Sequence, residues 1–145
     1  IVAPIENSLN GKLVCDMAIG GIGPLKNPLE IHAKNGKSEK ITCNDKNVLR
    51  RVEDTLTSDE WSNIVGEFAF GINPKARFTQ EFLEAEKIVG SIHIAFGKNI
   101  DMPGGKNASR NHMDMLVSKP TVNVTMDDDS ELTVLKEGHF KVKLQ

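Results

Sequence analysis

The chain has 145 residues, with 18 basic and 20 acidic side chains, a formal charge of −2 and a sequence pI near 6.1. That size suits one soluble domain, and the charge gives no electrostatic reason to bind nucleic acid or an anionic membrane surface. Hydrophobic residues at 39% and charged residues at 26% exclude the disordered, collagen-like and disulfide-dense classes.

In chain order, residues 12–19 and 29–33 read as apolar strands separated by the breaker Gly20-Gly21-Ile22-Gly23-Pro24. The opening Ile1-Val2-Ala3-Pro4 is already strand-like and lacks an initiator Met, so a C-terminal piece of a longer polypeptide is expected. Asn35-Gly36 is a strong two-residue hairpin signal, and it predicts a third strand through Ile41 and Thr42. The basic stretch 34–40 is interrupted by Asn35, Gly36 and Glu39 and reads as a solvated hairpin tip. Over 44–57, Val48, Leu49, Val52 and Leu56 recur at helical spacing, which predicts the main helix, capped by Asn44 or Asp45. A second short helix is expected over 79–87. Strands are expected over 64–70, 91–96 and 111–117, and shorter ones over 121–126, 132–135 and 140–144, with turns at Asp127-Asp128-Asp129 and Glu137-Gly138. The predicted class is α+β, mostly antiparallel sheet, forming a single metal-binding domain over 1–145.

Cys15 and Cys43 are isolated and outside CxxC spacing, which argues against a zinc ribbon or a disulfide framework and for a reduced, cytoplasmic location. No signal-peptide core and no uninterrupted apolar run of about 18 residues is present.

Alternation along the three middle strands separates two faces. Ile64, Phe68 and Phe70 share one face of the first, leaving Val65, Glu67 and Ala69 on the other. Ile92, Ile94 and Phe96 leave His93 between Ser91 and Ala95. Met113, Met115 and Val117 leave His112 and Asp114 side by side. Each strand thus pairs a bulky apolar face with a face of small residues carrying a metal-type ligand. Imidazole with carboxylate suits zinc, manganese, cobalt or iron. Between His93 and His112, the loop offers Lys106, Asn107 and Ser109 as substrate contacts or as partners that orient the ligands. His32 and His139 fall outside this pattern and read as surface residues.

Three segments carry a resemblance: Gly66-Glu67-Phe68-Ala69-Phe70-Gly71-Ile72-Asn73-Pro74, then the run from Glu86 through Gly90-Ser91-Ile92-His93-Ile94-Ala95-Phe96-Gly97, then Gly104-Gly105-Lys106-Asn107-Ala108-Ser109-Arg110-Asn111-His112-Met113-Asp114. The chain resembles the aminopeptidase T and aminopeptidase S family of thermophilic metallopeptidases. The resemblance implies a two-metal centre with Glu67, His93, His112 and Asp114 as ligands, and Glu67 as the catalytic carboxylate. Such a centre polarises the scissile carbonyl, generates hydroxide near neutral pH and anchors a free amino terminus. It implies a metal-dependent hydrolase that removes N-terminal residues from peptides with zinc, cobalt or manganese, and a homodimer. Relatives of the family include a dihydroxypyridine dioxygenase, so a second reading places one iron on His93, His112 and Asp114 for ring cleavage. A third reading makes the chain an inactive binding or assembly fragment.

Overall fold

A computed structural model describes residues 1–144. The first strand, β1 (Gly11–Cys15), pairs with β4 (Leu29–Lys34), which pairs with β5 (Lys37–Cys43), in an antiparallel three-stranded sheet. The β4–β5 turn is Asn35-Gly36, with φ of 49° and 78°. Two successive positive φ values define the type I′ turn, whose twist matches that of the flanking strands.

Residues 12–19 do not form one strand. The chain breaks at Asp16-Met17, and β2 (Ala18–Ile19) leaves the first sheet to join a second. That sheet has five antiparallel strands in the order β3 (Gly23–Pro24), β2, β8 (His112–Val117), β7 (Ile92–Gly97) and β6 (Val65–Phe70). The break is a change of partner: Cys15 pairs with Leu29, whereas Ala18 pairs with Leu116. Asp16 holds the crossing by accepting from the Ser118 N–H at 2.8 Å.

The main helix, α1 (Lys46–Leu56), starts where Asp45 Oδ1 accepts from the Asn47 and Val48 N–H groups at 2.9 and 3.2 Å. These are two of the donors that the first turn leaves without helical partners. Its apolar stripe buries Val52 and Leu56 against the first sheet and the bulky face of the second. The main core cluster therefore joins Leu13, Leu29 and Ile31 to Val52, Leu56, Phe96, Met113 and Met115. The second helix, α2 (Phe82–Ala85), is a single turn rather than the nine residues expected over 79–87. Helix-favouring Glu and Ala could not extend it, because the chain turns back at once to bond Asn73 N–H to Lys87 O and Val89 N–H to Asn73 O. A third sheet, β9 (Val122–Thr125), β10 (Glu131–Lys136) and β11 (His139–Phe140), forms a separate antiparallel arm. The last expected strand, over 140–144, is reduced to the bridge pair of β11 with β10.

Strict alternation predicts that Val65 shares a face with Glu67, and it does not. A bulge between Val65 and Glu67 pairs Val65 with Phe96 and Glu67 with Ala95, so these two side chains lie on opposite faces. Gly66 is the extra residue that inverts the alternation. A Cβ there would overlap the carbonyl oxygen of Gly97. Val65 joins the buried core, and Phe68 and Phe70 are only half buried, stacking edge to face with centroids 5.1 Å apart.

Candidate metal centre

Register across β6, β7 and β8 builds the site. Glu67, Ala95 and Asp114 form one cross-strand row on the face away from the core. The next row is Ala69, His93 and Leu116, and on the other side Gly97 lies opposite His112. Opposed residues in an antiparallel pair project to the same face with Cβ atoms about 4.5–5.5 Å apart. The middle strand contributes only a methyl group at Ala95 and no side chain at Gly97, so the carboxylates and imidazoles can lean together. Gly97 has φ +105°, and a Cβ there would overlap the Asn111 carbonyl oxygen.

His93 Nε2 lies 2.9 Å from Glu67 Oε1 and 3.9 Å from Asp114 Oδ1. His112 Nε2 lies 3.2 Å from Glu67 Oε2 and 3.3 Å from Asp114 Oδ1. The structure thus brings all four sequence-predicted ligands into one cluster. Glu67 and His93 are buried, Asp114 is half buried, and the cluster opens to solvent at His112. Burial works to raise the Glu67 carboxyl, but hydrogen bonds from His112 and His93 outweigh it and hold the group at about 2. Hydrogen bonds to Asp114 and Glu67 push His112 up to about 10.

The loop between β7 and β8 fixes His112 from behind. Lys98 O accepts from His112 Nδ1 at 2.7 Å, which points Nε2 at the carboxylates. That carbonyl belongs to a loop closed by Lys98 N–H to Asn111 O at 2.6 Å and Asn99 N–H to Asn107 O at 3.0 Å. Asn107 is fully buried and donates to Trp61 O, while its Oδ1 accepts from the Ser109 N–H. Ser109 Oγ in turn bonds Asp59 Oδ2 at 3.0 Å. Asn107 and Ser109 therefore use their polar atoms within the scaffold. Lys106 is exposed, and its peptide N–H is tied down by Glu6 Oε1 at 2.7 Å.

Sequence reasoning missed three contributors. Asp59 and the Lys98 carbonyl act through the folded loop and leave no residue-type signal. Glu86, read only as a helix former, has a ligand-type oxygen within 4.8 Å of ligand-type atoms of His93 and Asp114. Its signal in the sequence is its place at the head of the family-like segment Glu86 to Gly97. His32 and His139 are exposed, as expected.

A sequence profile described as thermophilic metalloprotease (M29) matches residues 2–140. The chain belongs to the M29 family. Among solved structures, wild-type AmpT from Thermus thermophilus superposes with a TM-score of 0.79 at 20% identity, covering 97% of this chain and 38% of that one. The 2,5-dihydroxypyridine dioxygenase from Pseudomonas putida KT2440 superposes with a TM-score of 0.78 at 20% identity, covering 97% of this chain and 42% of that one. At this identity the likeness is one of fold, and the M29 chain spans about two-fifths of the length of each. No curated protein shows significant sequence similarity to it.

Membership in a metalloprotease family implies a divalent metal, and the side chains of this M29 chain fit one. Two imidazoles and two carboxylates converge, a borderline donor set that suits first-row divalent ions. Among the described residues no helix is long and apolar enough to cross a membrane.

Proposed function

We propose that this M29 chain forms a single metal-binding domain whose Glu67, His93, His112 and Asp114 bind a divalent cation for the removal of N-terminal residues from peptides. The observation that carries the reading is the convergence of both Nε2 atoms and both carboxylates over Ala95. A zinc, cobalt or manganese ion held there supplies Lewis-acid polarisation of a carbonyl and water activation near neutral pH.

The chain's own groups supply the rest. Glu67, buried at the centre of the cluster with one oxygen towards each imidazole, is the carboxylate placed to take a proton in the reaction. The Lys98 carbonyl keeps the His112 ring in one orientation, and the Gly20 N–H does the same for the Asp114 backbone by donating to its carbonyl at 2.9 Å. Substrate enters from the exposed His112 side, and Lys106 is an exposed side chain of the β7–β8 loop. Asn107 and Ser109 act by keeping that loop rigid.

A second reading draws on the comparable likeness to the dioxygenase fold and on the two-His, one-Asp subset of the cluster. Here His93, His112 and Asp114 hold a single iron. Elemental analysis of protein purified without chelator, alongside His112→Ala and Asp114→Ala, separates the two. Zinc, cobalt or manganese lost in both variants, with aminopeptidase activity on dipeptides, is the expected result. Iron alone, with turnover of a dihydroxylated ring, selects the second reading. No metal in any sample overturns both and leaves a binding or assembly domain.

A further inference from the structure

The breaker Gly20-Gly21-Ile22-Gly23-Pro24 turns the chain between β2 and β3, and its first two glycines have different physical reasons. The turn is closed by the Ile22 N–H donating to Ile19 O at 3.0 Å, and Gly21, its third residue, has φ +74°. A positive φ at that position is what a type II turn demands, so the backbone requires glycine at Gly21. A Cβ on Gly21 would meet nothing within 4 Å. Gly20 lies outside the left-handed region, so the backbone gives no reason for glycine there.

What Gly20 adjoins is the metal cluster. The β2–β8 register pairs Ala18 with Leu116 and Ile19 with Met115, which sets Gly20 next, opposite Asp114, and the Gly20 N–H donates to Asp114 O at 2.9 Å. The cross-strand row thus runs Glu67, Ala95, Asp114, Gly20, and a side chain at Gly20 would project onto the face of the clustered residues. A Cβ there would lie 3.3 Å from Asp114 N, 3.4 Å from Asp114 Oδ2 and 3.7 Å from Asp114 Cβ. The first of these is tighter than ordinary van der Waals contact, and a larger side chain would press on the carboxylate itself.

Asp114 turns its two oxygens to different sides. Oδ1 lies 3.3 Å from His112 Nε2 and 3.9 Å from His93 Nε2, whereas Oδ2 lies towards Gly20. With no side chain at Gly20 and only a methyl group at Ala95, neither neighbouring strand crowds the carboxylate, and it keeps the orientation that aims Oδ1 at both imidazoles. We propose that Gly20 is a positioning residue of the metal site, acting through Asp114: its missing side chain leaves the room in which that carboxylate faces the cation. This rests on the proposed metal reading and extends it to a residue whose contribution is an absent side chain.

The test separates metal affinity from folding. Metal-free 145-residue chain is titrated with Co(II) by calorimetry, and the visible cobalt spectrum is recorded, for the wild type, Gly20→Ala, Gly20→Val and Gly21→Ala. Far-UV circular dichroism and thermal melts report folding. Alanine at a glycine of permitted φ restricts the unfolded chain, whereas at positive φ it strains the folded one. Gly20→Ala should therefore melt near the wild type yet bind cobalt about 10-fold more weakly, and Gly20→Val about 100-fold more weakly, with the cobalt bands shifted in both. Gly21→Ala should melt lower and keep the wild-type affinity and spectrum. Unchanged affinity and spectrum in folded Gly20→Ala overturn the inference while leaving the metal reading intact. An equal loss of affinity in Gly21→Ala also overturns it, because the turn as a whole, and not the space beside Asp114, would then be at work. No cobalt bound to the wild type removes the metal reading itself, and this inference with it.

Discussion

At the scale of single residues, His112 as a proposed ligand should couple metal affinity to pH. Its folded-state pKa of about 10 means that it is protonated near neutrality, and a cation must displace that proton to reach Nε2. Calorimetry at pH 7 in buffers of different ionisation enthalpy should show proton release on binding. Apparent affinity should rise about tenfold per pH unit through the neutral range. A pH-independent affinity would mean that His112 is not a ligand. The grouping of Glu67, His93, His112 and Asp114 was legible because strand alternation sets each apart from the bulky apolar residues of its own strand. Glu86 was not, because its approach to His93 and Asp114 depends on where a one-turn helix packs. Ala95 shows the same limit: its alternation was readable, but its place between Glu67 and Asp114 is a property of register.

At the scale of elements, the central strand β7 serves both faces. Phe96 is fully buried in the core, so Phe96→Ala should cost about 3–5 kcal/mol in denaturant unfolding while leaving metal uptake per folded molecule intact. A loss under 1 kcal/mol would contradict the assignment of that face to the core. The β7–β8 loop makes the opposite case. Asn107→Ala strands the Trp61 carbonyl and the Ser109 N–H, costing about 1–3 kcal/mol. Through Lys98 it should also weaken metal binding by about 10–100-fold. Unchanged affinity in a folded variant would show that the loop does not orient His112. The hairpin at Asn35-Gly36 and the cap at Asp45 were readable, since both follow from local backbone chemistry. The break at Asp16-Met17 and the brevity of α2 were not, because each is imposed by a partner distant in sequence.

At the scale of the whole molecule, the metal-free site makes stability depend on pH in both directions. Glu67, at about 2 folded against 4.5 for an ordinary glutamate, contributes stability above pH 4.5 that is lost as pH falls towards 2. His112, at about 10 against 6.5, contributes stability below pH 6.5 that is lost as pH rises towards 10. The two shifts describe largely one interaction, and both are fully present between pH 4.5 and 6.5. Thermal melts of the metal-free chain should peak in that window. His112→Ala should abolish the alkaline decline, and an alkaline limb that survives it would assign the decline to another group. By itself, the sequence determined the hairpin, the main helix and, on β7 and β8, which face His93, His112 and Asp114 share with their neighbours on the same strand. These are properties of a backbone a few residues long. Only the tertiary structure decided that Glu67 meets His93 across 26 residues, that the Gly66 bulge turns Val65 into the core, and that Glu86 arrives from α2. Cross-strand register is set by packing and turn geometry summed over distant segments, and no local pattern carries it.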